Sequence, residues 1–242
     1  MSKRVLITAA KEDIESALKL IEANDTDIMH LPLEKYILKE DEAAIKKELD
    51  ALENYENIVL GNKRNAAFFL RMVNKYDKTD AVRGRVNLTM NEETSDLLEA
   101  EGIPAICTYA EKKPIDLIEF MLRLQRFGAT LYPCGSHKTE EVPGFLVELD
   151  IEVNELELFD LKGPDKNELA DYQKKIKAEP PEIIVFHSRR SVTRTLAAFE
   201  NLNLKKPRLV SADKGISRKL EENGIKVDAE AEGSWESIAE LI

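Results

Sequence analysis

Apolar and polar residues follow two alternating periods along this chain, a short extended one and a helical one. Arg4 to Thr8 is a largely apolar run of the kind buried in a parallel sheet, and Lys11 to Asn24 then puts Ile14, Leu18 and Ile21 on one helical face. Ile28 to Leu31 resumes extended character until Pro32 interrupts it. A charged helix is predicted from about Lys39 to Tyr55, with Ala44, Ile45, Leu49 and Leu52 as its apolar stripe. Strands are predicted near Ile58–Gly61, Val86–Met90, Ala105–Tyr109 and Thr130–Pro133, and helices near Asn65–Tyr76, Glu92–Glu101 and Pro114–Phe127. Pro143 and Gly144 are expected to break any helix, so Phe145 to Leu161 reads as extended, with polar and apolar residues alternating from Val153. Helix Asn167–Ala178, strand Ile183–His187, helix Val192–Leu202 and strand Arg208–Ala212 follow; helix Ile216–Asn223, strand Lys226–Ala229 and a helix from Ser234 complete the series. Such alternation predicts parallel sheets with helices on both faces.

An internal repeat organises these elements. Ile58-Val-Leu-Gly-Asn-Lys-Arg-Asn-Ala-Ala echoes Ile184-Val-Phe-His-Ser-Arg-Arg-Ser-Val-Thr. Glu93-Thr-Ser-Asp-Leu-Leu-Glu-Ala-Glu-Gly-Ile echoes Gly215-Ile-Ser-Arg-Lys-Leu-Glu-Glu-Asn-Gly-Ile in the same order. Two matched blocks mark a duplicated domain and not a solenoid, and 242 residues suit two small α/β units.

Each copy of the first block ends a strand in a polar cluster that opens a helix. One is Gly61, Asn62, Lys63, Arg64 and Asn65; the other is His187, Ser188, Arg189, Arg190 and Ser191. An open α/β sheet binds ligands beyond the carboxyl ends of its strands, where the free N–H groups and dipole of a helix start favour anions. Ser, Asn, Lys and Arg side chains add donors suited to carboxylates. A single cluster of this kind also describes an ordinary capped helix beside a solvated basic turn; two at equivalent repeat positions favour a binding role. A third turn, Pro133-Cys-Gly-Ser-His-Lys-Thr-Glu-Glu, has Gly135 for a tight strand exit and Ser136 or Thr139 to cap a helical turn, and reads equally well as structural.

Charge narrows the field. With 46 acidic and 35 basic residues the chain carries a formal charge of -11, which argues against a nucleic-acid partner. Any anion site must be a local group of donors standing against an unfavourable mean field. His30, His137 and His187 are scattered without a metal-binding spacing, and no metal site is expected. No GxSxG, GxxxxGK[ST] or GxGxxG pattern occurs. Cys107 and Cys134 read as reduced, packed thiols of a cytoplasmic protein. The apolar run after Met1 is cut short at Lys11 and Glu12, so it reads as a first strand and not a signal peptide, and no membrane partner is expected. Trp235 opens an amphipathic helix and reads as core.

Taken together these residues resemble the uroporphyrinogen-III synthase family nearly end to end. Asp27-Ile-Met-His-Leu-Pro-Leu-Glu is similar to the family's strand and crossing segment, and Gly144 to Phe159 to its return strand. Ile184-Val-Phe-His-Ser-Arg-Arg-Ser-Val resembles its "vvFTSpsaV" motif, and Leu220-Glu-Glu-Asn-Gly-Ile-Lys-Val-Asp its closing run. The resemblance implies an α/β fold of two duplicated, flavodoxin-like parallel-sheet domains joined by a two-stranded antiparallel linker. It divides the chain into residues 1–32 with 163–242, an inserted domain at 40–152, and linker strands at 33–39 and 153–162. It further implies a cofactor-free reaction on one small molecule. That substrate is hydroxymethylbilane, a linear tetrapyrrole with eight carboxylates, held in the cleft between domains and cyclised with inversion of its last ring. The substrate-binding residues it points to are Asn62, Lys63, Arg64, Gly135, Ser136, Ser188, Arg189, Arg190 and Phe159, with His187 and Thr94 as candidate catalytic groups. A monomer is expected. Three positions depart from the family: Phe159 stands at a tyrosine, His187 at a threonine, and Asn91 at the glycine of a "GxxT" turn whose Thr94 is kept. In the second copy of that turn Asp213 and Ile216 stand where Gly and Thr would be. The competing reading is a non-catalytic clamp of the same architecture that binds an anionic ligand or a partner protein.

Overall fold

The computed structural model describes residues 2–22, 24–108, 114–137 and 141–242. Tyr109, at the end of one expected strand, and Thr139, an expected cap, lie outside the described residues. The chain divides into two compact units, Met1–Tyr36 with Lys162–Ile242, and Ile37–Leu161.

The first unit opens with β1 (Lys3–Ile7), α1 (Lys11–Glu22) and β2 (Thr26–His30). β3 (Lys35–Leu38) carries the chain into the second unit, which holds α2 (Glu42–Asp50), β4 (Asn57–Leu60), α3 (Lys63–Lys75), α4 (Thr79–Arg83) and β5 (Val86–Thr89). It continues with α5 (Glu92–Ala100), β6 (Ile106–Cys107), α6 (Pro114–Arg123), β7 (Thr130–Gly135) and α7 (Glu141–Glu148). β8 (Val153–Lys162) leads back to α8 (Lys166–Ala178), β9 (Ile183–Phe186), α9 (Arg189–Ala198), β10 (Arg208–Ser211), α10 (Lys214–Glu222), β11 (Ala229–Glu230) and α11 (Trp235–Ala239).

The first sheet has the order β11-β10-β9-β1-β2 and is parallel at each pairing. Apolar runs make this possible: Val5, Leu6, Ile7, Ile184, Val185, Phe186 and Val210 are all completely buried, as strands covered on both faces must be. The second sheet has the order β3-β8-β7-β4-β5-β6, with β4, β5, β6, β7 and β8 running parallel. In each sheet the strand order reverses once, between β1 and β9 in the first and between β7 and β4 in the second. These are the topological switch points of doubly wound sheets. β8, expected as a linker strand, pairs with β7 in the second sheet, in register from Thr130↔Val153 to Cys134↔Glu157 and, past a register shift, at Gly135↔Phe159.

The repeat seen in the sequence has a structural cause at both of its ends. Gly102 (φ 68°) and Gly224 (φ 72°) adopt the left-handed conformation just beyond α5 and α10. In both places the next residue returns its N–H to a leucine carbonyl, Ile103 to Leu98 and Ile225 to Leu220, each at 3.0 Å. This is the Schellman closure of a helix, and glycine is the residue that accepts its backbone at no steric cost. Upstream, Thr89 Oγ1 meets Ser95 Oγ at 2.6 Å and Ser211 Oγ meets Ser217 Oγ at 2.7 Å, the same strand-to-helix hydroxyl pair in each unit.

Some ends are shifted, with β11 at Ala229–Glu230 for an expected Lys226–Ala229 and α6 ending at Arg123 and not Phe127, and three further expectations need correction. α7 runs through Pro143 and Gly144, where an extended segment was expected. Pro143 is the third residue of the helix, and the first four N–H groups of a helix have no internal acceptor, so the missing donor costs nothing there. The helix expected over Lys39–Tyr55 begins only at Glu42, capped by Asp41, and ends at Asp50 before a separate 3-10 turn at Leu52–Asn54. α9 begins at Arg189 and not at Val192, because Ser188 caps it and turns the polar Arg189-Arg190-Ser191 stretch into its first turn.

Two close approaches fix the second unit. A Cβ at Gly135 would overlap the Phe159 ring, and one at Gly61 would meet the Tyr132 hydroxyl at 2.9 Å. Gly135→Ala is expected to cost about 1–3 kcal/mol in chemical denaturation by overpacking, with the loss much reduced in a Phe159→Ala background. Three carboxyls add a pH dependence. The Arg126 guanidinium and the Gly128 N–H hold Glu56 below its ordinary value of 4.5. The N–H groups of Glu168 and Asn167 hold Asp165 below 3.8, and the Lys35 ammonium holds Glu168 below 4.5. Depressed carboxyls stabilise the fold in full above their ordinary values and lose that contribution as pH falls through the lower folded ones. The denaturation midpoint is therefore expected to stay level down to about pH 5 and to fall below it, with a shallower fall in Glu56→Gln and Asp165→Asn.

Candidate functional site

The carboxyl ends of the strands at each switch point carry the expected clusters. In the second unit β4 ends at Leu60 and leads through Gly61 to Asn62, the cap of α3 (φ -162°, ψ 165°), whose side chain accepts from the Asn65 N–H at 2.9 Å. In the first unit β9 ends at Phe186 and leads through His187 to Ser188, the cap of α9 (φ -156°, ψ 158°). Ser188 Oγ accepts from the Ser191 N–H at 3.0 Å, and Ser191 Oγ accepts from the Ser188 N–H at 3.1 Å, a reciprocal capping box. Each cap satisfies the third amide of its helix and leaves the amides before it for other acceptors.

The neighbouring strand of each unit repeats the device. Asn91 caps α5 and Asp213 caps α10, each accepting from the third residue at 2.9 Å. These are the positions where the sequence departs from a glycine turn, so the change supplies a capping side chain. In α10 that side chain is itself a carboxylate, which makes this helix start a poorer place for a second anion. Arg189 lies along it: a Cβ at Gly215 would meet the Arg189 guanidinium at 2.9 Å and the Asp213 carboxylate at 3.1 Å.

Other candidates take distinct places. Thr94 is completely buried, and its hydroxyl donates to the Asn91 side chain at 2.7 Å, which ties it to the helix start. Phe159 is 5% exposed, stacked on Phe68 with ring centroids 4.4 Å apart, and lies over Gly135. Ser136 follows Gly135 at the end of β7 and donates its N–H to the Phe159 carbonyl at 2.9 Å. Lys63 is exposed in the first turn of α3 beside Arg64, which is partly buried. His187 is partly buried and stacked against Trp235, ring centroids 6.1 Å apart and planes 17° from parallel. Trp235 is thus partly core, as expected, and partly a wall for His187.

The sequence pattern did not single out Glu34 or Arg194, and it marked Asn91 and Asp213 as departures without giving them the capping role they hold. Glu34 is 4% exposed and faces Arg190 and Arg194. A carboxylate directly after the apolar stretch Leu31-Pro32-Leu33, and a second arginine four residues after Arg190 on a helix, were the available signals.

Two parallel sheets, each with a capped, donor-rich helix start at its switch point, define a duplicated doubly wound α/β protein. The family model described as uroporphyrinogen-III synthase HemD matches residues 15–236, and the chain belongs to that family. Solved structures agree in fold. Uroporphyrinogen-III synthetase from Helicobacter pylori 26695 is 16% identical, with a TM-score of 0.68 over 100% of this chain and 98% of that one. A mutant uroporphyrinogen III synthase from the extremely thermophilic bacterium Thermus thermophilus is 11% identical, with a TM-score of 0.65 over 99% of this chain and 96% of that one. No curated protein matches the sequence.

Removing one cap tests the local geometry. Ser188→Ala is expected to lower stability by about 1 kcal/mol, read from the denaturation midpoint, and Ser188→Asp to keep most of it.

Proposed function

We propose that this chain cyclises hydroxymethylbilane to uroporphyrinogen III, with donor-rich helix starts as the grip on the carboxylates of the substrate. The observation that carries the reading is the pair of equivalent helix starts, Asn62-Lys63-Arg64 and Ser188-Arg189-Arg190, each at a switch point of its sheet. Amides at a helix start bind an anion with no reorganisation, and the adjacent guanidinium and ammonium groups add charge. The turn of Gly135 and Ser136, at the end of the strand next to β4, would add a further grip.

Holding a flexible chain near its closed shape is most of the catalytic task. Protonation of the terminal hydroxyl and its departure as water leave an azafulvenium cation. Attack by the substituted carbon of the last ring gives a spiro intermediate. Its fragmentation and reclosure invert that ring, and a proton is then lost. The acidic balance of the chain, -11 overall, favours the single transient cation while it disfavours the more numerous bound carboxylates, so the local donors have to outweigh it. His187, held against Trp235, is the proposed proton donor to the departing hydroxyl. Thr94 and Phe159 act from behind, Thr94 by fixing the α5 start and Phe159 by packing β8 against Gly135 and Phe68. Cys107 and Cys134 are thiols, which suits a reducing cytoplasm, and a monomer is proposed.

The test supplies hydroxymethylbilane and resolves the uroporphyrin isomers after oxidation. The type III isomer is expected; formation of type I alone would reject the enzyme and leave a clamp. Removing Arg189 and Arg190 together is expected to raise KM at least about tenfold, in line with the loss of charged hydrogen bonds, while removing Lys174 and Lys177 changes it little. Equal effects would reduce the α9 start to plain surface. If His187 donates the proton, ring closure slows at a pH where the imidazole is neutral. Near-normal closure there removes it from the mechanism.

A further inference from the structure

Glu34 is an unusual place to find a carboxylate. It follows the end of β2, where the Leu31 and Leu33 N–H groups bond to the Ile7 and Thr8 carbonyls and so lock the segment beside the carboxyl end of β1. Its side chain is 5% exposed, and among the described residues Oε1 is buried without a hydrogen-bond partner. A buried charge in that condition is costly unless an opposite charge faces it. Two do: Arg190 Nε lies 3.8 Å and Arg194 Nε 3.6 Å from Oε1.

The two arginines are held differently. Arg194 is three-quarters buried and donates through Nη1 to the Leu33 carbonyl at 2.6 Å, which anchors α9 to the segment. Arg190 is about half exposed, and among the described residues Glu34 is its charged partner. Contact through Nε leaves the fork of its two Nη groups for another planar anion. One carboxylate facing two guanidiniums also leaves this corner of the first switch point net positive, in a chain whose overall charge is -11.

We infer that Glu34 is a positioning residue: its buried carboxylate holds the Nε edge of Arg190 so that the Nη fork is set at the α9 start to receive a carboxylate of the ligand. The inference rests on the reading that this helix start grips a polycarboxylate, and it adds which arginine forms the fork and what aims it. Arg194 shares the charge of Glu34 and keeps the carboxylate from being buried against Arg190 alone.

The experiment measures KM and kcat with hydroxymethylbilane, and in parallel the fluorescence titration of uroporphyrin I, an octacarboxylate that reports binding without turnover. Glu34→Gln is expected to raise KM and the uroporphyrin Kd about fivefold, the size of a contact-pair coupling, far more than it lowers kcat. In an Arg190→Ala background the same substitution is expected to add nothing. Independent, multiplying effects of Glu34→Gln and Arg190→Ala would overturn the inference, because they would make Glu34 a structural residue only. Should Glu34→Gln fail to fold, Glu34→Asp, which keeps the charge and shortens its reach, is put through the same comparison. Loss of type III product with Glu34-dependent porphyrin binding intact would reject the synthase and leave the positioning role standing. Normal synthesis with multiplying effects would do the reverse.

Discussion

The structure depends on what happens to the unpaired amides at the starts of its helices. Every helix leaves its first N–H groups without internal acceptors, and a parallel sheet flanked by right-handed crossovers gathers several such starts at the carboxyl ends of its strands. Four of them, before α3, α5, α9 and α10, share the same extended cap, with φ between -156° and -162°, and the same bond donated by the third amide to the cap side chain. Those bonds stabilise the helices, and they also determine which amides stay open to a ligand.

Within that shared plan the starts are unequal. Asn62 and Ser188 are neutral caps followed by two cations each, while Asp213 brings its own carboxylate and Asn91 is followed by Glu92 and Glu93. The helix dipole favours anions at all four, yet only α3 and α9 have two cationic side chains in the first turn that add to it. The positive charge of this acidic chain is thus concentrated at two of the four starts. Glu34 fits the same economy of charge: a buried carboxylate beside Arg190 tempers the positive corner and gives its guanidinium a fixed direction.

The duplication and the architecture were legible in the sequence because their causes are local. An apolar run long enough to cross a sheet, a capping residue before a helix, and a Leu-x-x-x-Gly-Ile closure each act within a few residues, and each recurs in the second copy. The candidate clusters were legible for the same reason, since Asn62 and Ser188 announce helix starts by their type. Where local reading failed, at α7, it treated Pro143 as a breaker without asking whether the proline fell in a first turn.

Nearest-neighbour chemistry made most strands and helices legible in the sequence, α4 and α7 apart, together with the repeat and the two polar clusters that open α3 and α9. Only the tertiary structure decided which distant residues share a corner. Leu33 and Arg194 are 161 residues apart yet hydrogen-bonded, Phe159 lies on Phe68 and Gly135, and His187 is stacked on Trp235. No periodicity encodes such meetings, because they are set by strand order and register, and these are fixed by burying both faces of each sheet at once.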